Sequence, residues 1–377
     1  MNSRERLLTV INGGIPDHVP VAPDTSNMIP AKMTGLPFWD LYLYQKIPIW
    51  LAYINCVKHF GFDSLMDGYV PINFDDIYMH PPEPFVTAII DQTEERIITR
   101  TFKEANGKRF WSGYVSVYPR SDPPAHVKAS LLGLPEEPGS FTILEGVTEW
   151  PKGAELLSYV KKELGDHGLV GITSGTSKLL NTEDDIYDYY EDPDRFVTLR
   201  DKMLEFFEKK LHRLMSLPDK PDFICTGGSG TLVHQSPEIF RELGLPIVKR
   251  ITALCKEYGI PTHIHSCGPE TLLVDICANE TDLTIIDPLE IPPMGDVDLK
   301  ELKRLYGHKL VLKGNIHTVD VMLNGTPDDV RNAAKKAIDD AAAGGRFILS
   351  TGDQCGRDTP HENLFALIET AQTYGRY

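Results

Sequence analysis

The chain has 377 residues, 41% of them hydrophobic, and a net charge of −16. That size suits one large domain or two ordinary ones, and the charge excludes a nucleic-acid binder because no basic stripe is there to meet phosphates. No apolar run approaches the ~18–20 residues of a membrane span, the first residues do not read as a signal peptide, and six scattered cysteines lack disulfide-scaffold spacing. A cytoplasmic protein with reduced thiols and no membrane partner is expected.

Ser3 to Ile11 reads as a short helix, and a first strand is expected near 19–22. Met28, Met33, Phe38, Trp39 and Tyr42 then form a Met and aromatic cluster. A helix over roughly 46–60 leads to a strand near 62–66. From Val86 to Val117 the pattern changes to the alternation of antiparallel strands, and Pro119 to Gly139 is a Pro-rich loop. From about 151 the chain becomes regular. Helices over 151–164, 183–215, 237–257, 270–278, 299–306 and 328–343 each precede a short apolar strand. These strands are expected at 168–172, 222–225, 262–267, 283–287, 309–314 and 346–350, with a last helix from His361. Eight short strands alternating with helices predict an α/β fold, a (β/α)8 TIM barrel. It is expected to form a single domain over 1–377, with a β-hairpin and loop insertion over about 70–150.

Polar residues gather after the strands: Thr173–Ser177, Thr226–Gly230, Ser266–Gly268, Asp287–Glu290, Gly314–His317 and Ser350–Cys355. A barrel of this kind carries its site on that face, although Gly-rich turns also serve as plain loop chemistry. The most informative stretch is Pro261-Thr-His-Ile-His-Ser-Cys-Gly-Pro-Glu270. On a strand His263, His265 and Cys267 would share a face, with Gly268 ending the strand and Pro269 opening a helix. His265 and Cys267 supply two corners of a zinc site. Cys355 is the third candidate ligand, and Glu290 is an oxygen ligand that substrate could displace. Taken singly, an idle buried thiol and a hydrogen-bonded barrel histidine are the alternatives.

Phe223-Ile-Cys-Thr-Gly-Gly-Ser-Gly-Thr231, Ser236–Phe240, Pro246–Arg250, His265–Gly268 and Lys313–Ile316 occur in an order that resembles the uroporphyrinogen decarboxylase superfamily. More narrowly, the chain is similar to the zinc- and corrinoid-dependent methyltransferase branch, best over roughly 165–375. The resemblance implies zinc on His265, Cys267 and Cys355, and methyl transfer to or from a corrinoid on a separate partner protein. In distantly similar cobalamin-independent methionine synthases a downstream Glu also binds zinc, a position that Glu290 would fill. The decarboxylase's own N-terminal Arg-Gln-Ala-Gly-Arg stretch has no counterpart, since Ala22-Pro-Asp-Thr-Ser-Asn-Met28 stands there.

Zinc as a Lewis acid serves two versions of such a transfer. With an aryl methyl ether it stabilises the departing phenolate, and with a thiol acceptor such as coenzyme M it keeps the thiolate deprotonated. Met28, Trp39 and Tyr42, with His263 and Asn315 near the site, are the expected substrate pocket, which ranks the methoxyarene O-demethylase first and the thiol methyltransferase second. Asp353 and His317 are the candidate catalytic groups, placed to orient a ligand or protonate a leaving oxygen. A decarboxylase-like enzyme and a non-catalytic barrel with structural zinc remain as rivals.

Overall fold

The computed structural model describes residues 1–72 and 85–377, so residues 73–84 of the expected insertion lie outside the described part. A capping box opens the chain: the Asn2 side chain accepts from the Glu5 amide, Glu5 accepts from the Asn2 amide, and helix Ser3–Ile11 follows. Helix Ile49–Phe60 ends on Gly61 in the left-handed conformation and leads into β1 (Ser64–Met66). The chain then leaves for an antiparallel sheet made of β2 (Val86–Gln92), β3 (Arg96–Ala105), β4 (Lys108–Pro119), β5 (Ala125–Lys128) and β6 (Thr142–Ile143). It returns through helix Gly153–Leu164 to β7 (Gly168–Thr173). From there strands and helices alternate through β8 (Phe223–Cys225), β9 (Thr262–His265), β10 (Ile285–Asp287), β11 (Val311–Ile316) and β12 (Phe347–Thr351).

β1 and β7 to β12 pair in parallel, in the order β1-β7-β8-β9-β10-β11-β12, while the excursion pairs β5-β4-β3-β2-β6. The seven strands curl, and the expected strand near 19–22 sits between the two free edges. Val21 bridges Leu349 of β12 in parallel. The Leu349 amide donates to Pro20 O and the Ala22 amide to Leu349 O, while the Asp63 amide, just before β1, donates to Val21 O. This eighth member makes only one bridge because Pro20 and Pro23 flank it and lack amide donors. The architecture is therefore an α/β TIM-barrel-like fold.

The parallel strands are buried along nearly their whole length, with only Thr173 exposed and His265 partly so at their carboxyl ends, as expected of a parallel sheet covered by helices, and the core is built from Val, Ile, Leu and Phe. Fully buried side chains such as Phe62, Phe223, Phe240 and Phe347 fill it. Each fully buried side chain of this class contributes about 1.5–3 kcal/mol by leaving water. No helix among the described residues is long and apolar enough to cross a membrane.

Candidate metal centre

The carboxyl ends of the strands converge on a cavity of about 460 Å³, walled by Asp24, Met28, Tyr53, Asp67, His263, His265, Asp287 and Lys313 among others. Register places the charged groups. His265 pairs with Asp287 across β9 and β10, so both point into the barrel from the same level. Asp287 is the hub. Its Oδ1 accepts from His265 Nδ1 at 3.0 Å and lies 3.1 Å from His263 Nε2, and its Oδ2 takes the Lys313 ammonium. The His263 contact is out of line for a hydrogen bond, which leaves that buried Nε2 without a partner. Burial disfavours the Asp287 carboxylate, but Lys313, His263 and His265 outweigh it and hold its pKa well below the usual range. The reciprocal effects push His263 up to about 9 and hold His265 well above its ordinary value, against the opposing pull of burial.

At the rim, His265, Cys267 and Asp353 each offer a ligand atom, all within 4.8 Å of one another. His265 Nε2 stands 3.5 Å from Asp353 Oδ1. A hydrogen bond with His265 lowers the Cys267 pKa, and Ser229 Oγ, 2.8 Å from Sγ, adds to this. An N, S, O donor set suits zinc, and an imidazole whose other nitrogen is held by a carboxylate is the usual outer-shell arrangement. The residues therefore fit the metal: His265 would ligate through Nε2 with Asp287 fixing its tautomer.

The structure departs from the sequence reading at several positions. β9 ends at His265, so Cys267 projects from the following turn and not from the strand. There Gly268 takes φ +97°, a conformation open to glycine, and its amide donates to Glu290 Oε2 at 2.6 Å. The helix starts at Thr271 and not at Pro269. Asp353, expected as a catalytic group, stands with His265 and Cys267 as the third potential donor within 4.8 Å, a trio that does not include Cys355. Cys355 is fully buried, and burial, with Asp24 adding to it, pushes its thiol up to about 12. Glu290 is turned to the Gly268 amide, and burial raises its pKa. His317 caps the turn Thr318–Leu323, its Nδ1 accepting from the Asp320 amide, and its Nε2 is buried without a hydrogen-bond partner.

Met28 and His263 do line the cavity. Trp39 and Tyr42 do not: Tyr42 packs on Phe38, and Trp39 lies beneath the Arg120 guanidinium. Asn315 donates to Leu289 O and, with His317, lines a separate cavity of about 450 Å³. Residues that sequence reasoning did not single out are Asp24, Asp67, Glu270, Asp287 and Lys313. A lysine inside the apolar strand Val311–Ile316 was the available signal, because a buried charge requires a partner.

The profile of the uroporphyrinogen decarboxylase (URO-D) family matches residues 155–374, which include β7 to β12 and both His265 and Cys267. The chain belongs to the uroporphyrinogen decarboxylase family. Among curated proteins it is similar to a methylcobamide:CoM methyltransferase of Methanosarcina mazei, 30% identical over 139 residues, covering 36% of this chain and 37% of that protein. A methylated-thiol–coenzyme M methyltransferase of the same organism is 29% identical over 138 residues, 36% of this chain and 34% of the relative. The matched stretch thus spans little more than a third of either relative. Among solved structures, a methyltransferase from Methanosarcina mazei superposes with a TM-score of 0.61 over 99% of both chains at 14% identity, a likeness of fold.

Proposed function

We propose that this chain is a zinc-dependent methyltransferase that moves a methyl group between a corrinoid and a thiol of the coenzyme M type. The corrinoid would arrive on a separate protein docking over the barrel mouth. The observation that carries the reading is the donor set His265, Cys267 and Asp353, of which His265 lines a cavity of about 460 Å³ on the strands' carboxyl face. The family assignment and the coenzyme M methyltransferases among the relatives support it.

Bound zinc would supply the Lewis acidity that keeps a thiol deprotonated at neutral pH. The chain's own residues do the rest. Asp287 orients His265 through Nδ1, and Ser229 orients Cys267. Glu290, whose pKa burial raises, stands beside His265 and Asp353 as a group able to take or give a proton. The walls formed by Met28, Tyr53 and Tyr69 exclude water from the reacting centre.

An aryl methyl ether is the second reading, favoured by Tyr53 and Tyr69, which stack with centroids 4.1 Å apart in the cavity wall. It moves to second place because Trp39 and Tyr42, on which the aromatic pocket was built, lie elsewhere. Decarboxylation of a polycarboxylate is disfavoured by three carboxylates, Asp24, Asp67 and Asp287, lining the same cavity.

The test is zinc analysis of purified protein with His265→Ala alongside, followed by methyl-transfer assays. Methylcobalamin with coenzyme M should react, and His265→Ala should lose zinc and activity while remaining folded. Transfer only from a methoxyarene to Co(I) cobalamin would make the second reading correct. Zinc-independent folding and activity would overturn both. An apoprotein that unfolds would indicate a structural metal.

A further inference from the structure

One layer below the rim, a second set of donors converges: Asp67 after β1, Cys225 at the end of β8 and His263 in β9. Cys225 Sγ lies 3.1 Å from Asp67 Oδ2 and 3.4 Å from His263 Nδ1, and His263 Nδ1 lies 3.1 Å from Asp67 Oδ2. A tetrahedral zinc with nitrogen and oxygen at about 2.0–2.1 Å and sulfur at about 2.3 Å sets its donors roughly 3.3–3.6 Å apart. The three donor atoms therefore nearly form one face of a zinc tetrahedron. We infer that Asp67, Cys225 and His263 form a second site for zinc or a similar borderline divalent cation, distinct from the rim set of His265, Cys267 and Asp353.

Three further observations fit this site. His263 is 3% exposed, and its Nε2 is buried without a hydrogen-bond partner, 3.1 Å from Asp287 Oδ1. Ligation through Nδ1 places the ring proton on Nε2, where a small rotation delivers it to that carboxylate, the outer-shell contact that metal-bound histidines make. Asp67 and His263 both line the cavity of about 460 Å³, so a path for entry exists and the fourth position faces the space where substrate would sit. The same Asp287 oxygen supports His265 at the rim, so one carboxylate orients a ligand of each site. Metal entry replaces the Cys225 S–H bond by a sulfur–metal bond and releases the proton to solvent.

The experiment loads the full chain with Zn²⁺, removes free metal by gel filtration and measures content. It compares Cys225→Ser, Asp67→Asn and the rim double variant His265→Ala/Cys267→Ser. Full occupancy predicts about two zinc ions in the unsubstituted chain, about one in either deep-site variant and about one in the rim variant. Loaded with Co²⁺, the rim variant should keep a thiolate-to-cobalt charge-transfer band that Cys225→Ser then abolishes. A rim variant without zinc, beside a Cys225→Ser variant with unchanged content, overturns the second site and leaves the first intact. Zinc lost with Cys225→Ser and unaffected at the rim upholds the second site and overturns the first. No zinc in any form overturns both. If Cys225→Ser fails to fold, as judged by circular dichroism, Asp67→Asn on the cavity wall decides the matter.

Discussion

Charges are treated in opposite ways in the two sheets. In the barrel, Asp287, Lys313 and His263 are almost fully buried and held by one another. In the antiparallel sheet β2–β6 the ion pairs lie on the surface, as in Arg96–Asp91 at 3.1 Å and Arg109–Glu104 at 2.9 Å, with both partners of each pair substantially exposed, while the buried Arg100 is met, among the described residues, by the Ser112 and Pro135 carbonyls and not by a carboxylate. The sheet spends its charges on solubility and covers one edge of its aromatic cluster with Arg109, which lies over Phe102 and Phe141. The barrel confines its charges in a place where desolvation makes each one costly unless paired. A cost of that kind is expected at a site that must orient ligands, and not in a scaffold.

Asp287→Asn should break this contrast most severely. It leaves the Lys313 ammonium buried without its closest anion and releases both imidazoles, for a loss of about 3–5 kcal/mol in urea unfolding. Adding Lys313→Met should recover part of that loss. An unchanged midpoint in the single variant would mean the hub is not the buried centre described here.

Next in size is the ion cluster under the barrel. Asp222 accepts from Arg4 at 2.7 Å, Lys161 at 3.0 Å and the Val170 amide at 2.9 Å. Burial raises its pKa, but those partners outweigh it and hold it below the ordinary carboxylate value. Its contribution is therefore present above the unfolded-state value of about 3.9 and is lost as pH falls through the lower folded value. Asp222→Asn should cost about 1–3 kcal/mol at pH 7, and the gap from the unsubstituted protein should close in acid. A gap that widens on acidification would contradict the ion-pair account.

Glu270 sharpens the comparison from the other side. It is fully buried with its pKa raised well above normal, first by burial and then by Asp287, and it accepts from the Leu289 amide. Because burial favours its protonated form, Glu270→Gln should be tolerated within about 1 kcal/mol; a loss as large as that of Asp287→Asn would show it to be ionised. Smallest of all, Arg109→Ala in the sheet should shift thermal unfolding by the equivalent of about 0.5–1 kcal/mol.

The barrel was legible because its signals are local. Short apolar strands alternating with helices and polar carboxyl ends repeat along the chain, and the helices around His265 fall within a few residues of expectation. Parts of the site were legible for the same reason: His265 and Cys267 are two residues apart, so their proximity needs no knowledge of the fold. Asp353 was recognised as polar and well placed, but its proximity to both His265 and Cys267 was not, because a strand-end loop can aim any of several side chains inward. Trp39 and Tyr42 misled because an aromatic cluster looks alike in a core and in a pocket, and only packing on Phe38 and Arg120 separates the two.

The chain's order of residues thus sufficed for an eight-membered α/β ring and for a nitrogen and a sulfur donor at one strand end. Tertiary structure alone decided which distant carboxylates meet those donors. Asp287 and Lys313 face each other across β10 and β11, while Asp67 reaches Cys225 from β1, 158 positions away in sequence. Closing a barrel brings every strand end to one mouth, and nothing in local propensity states which side chains will share it.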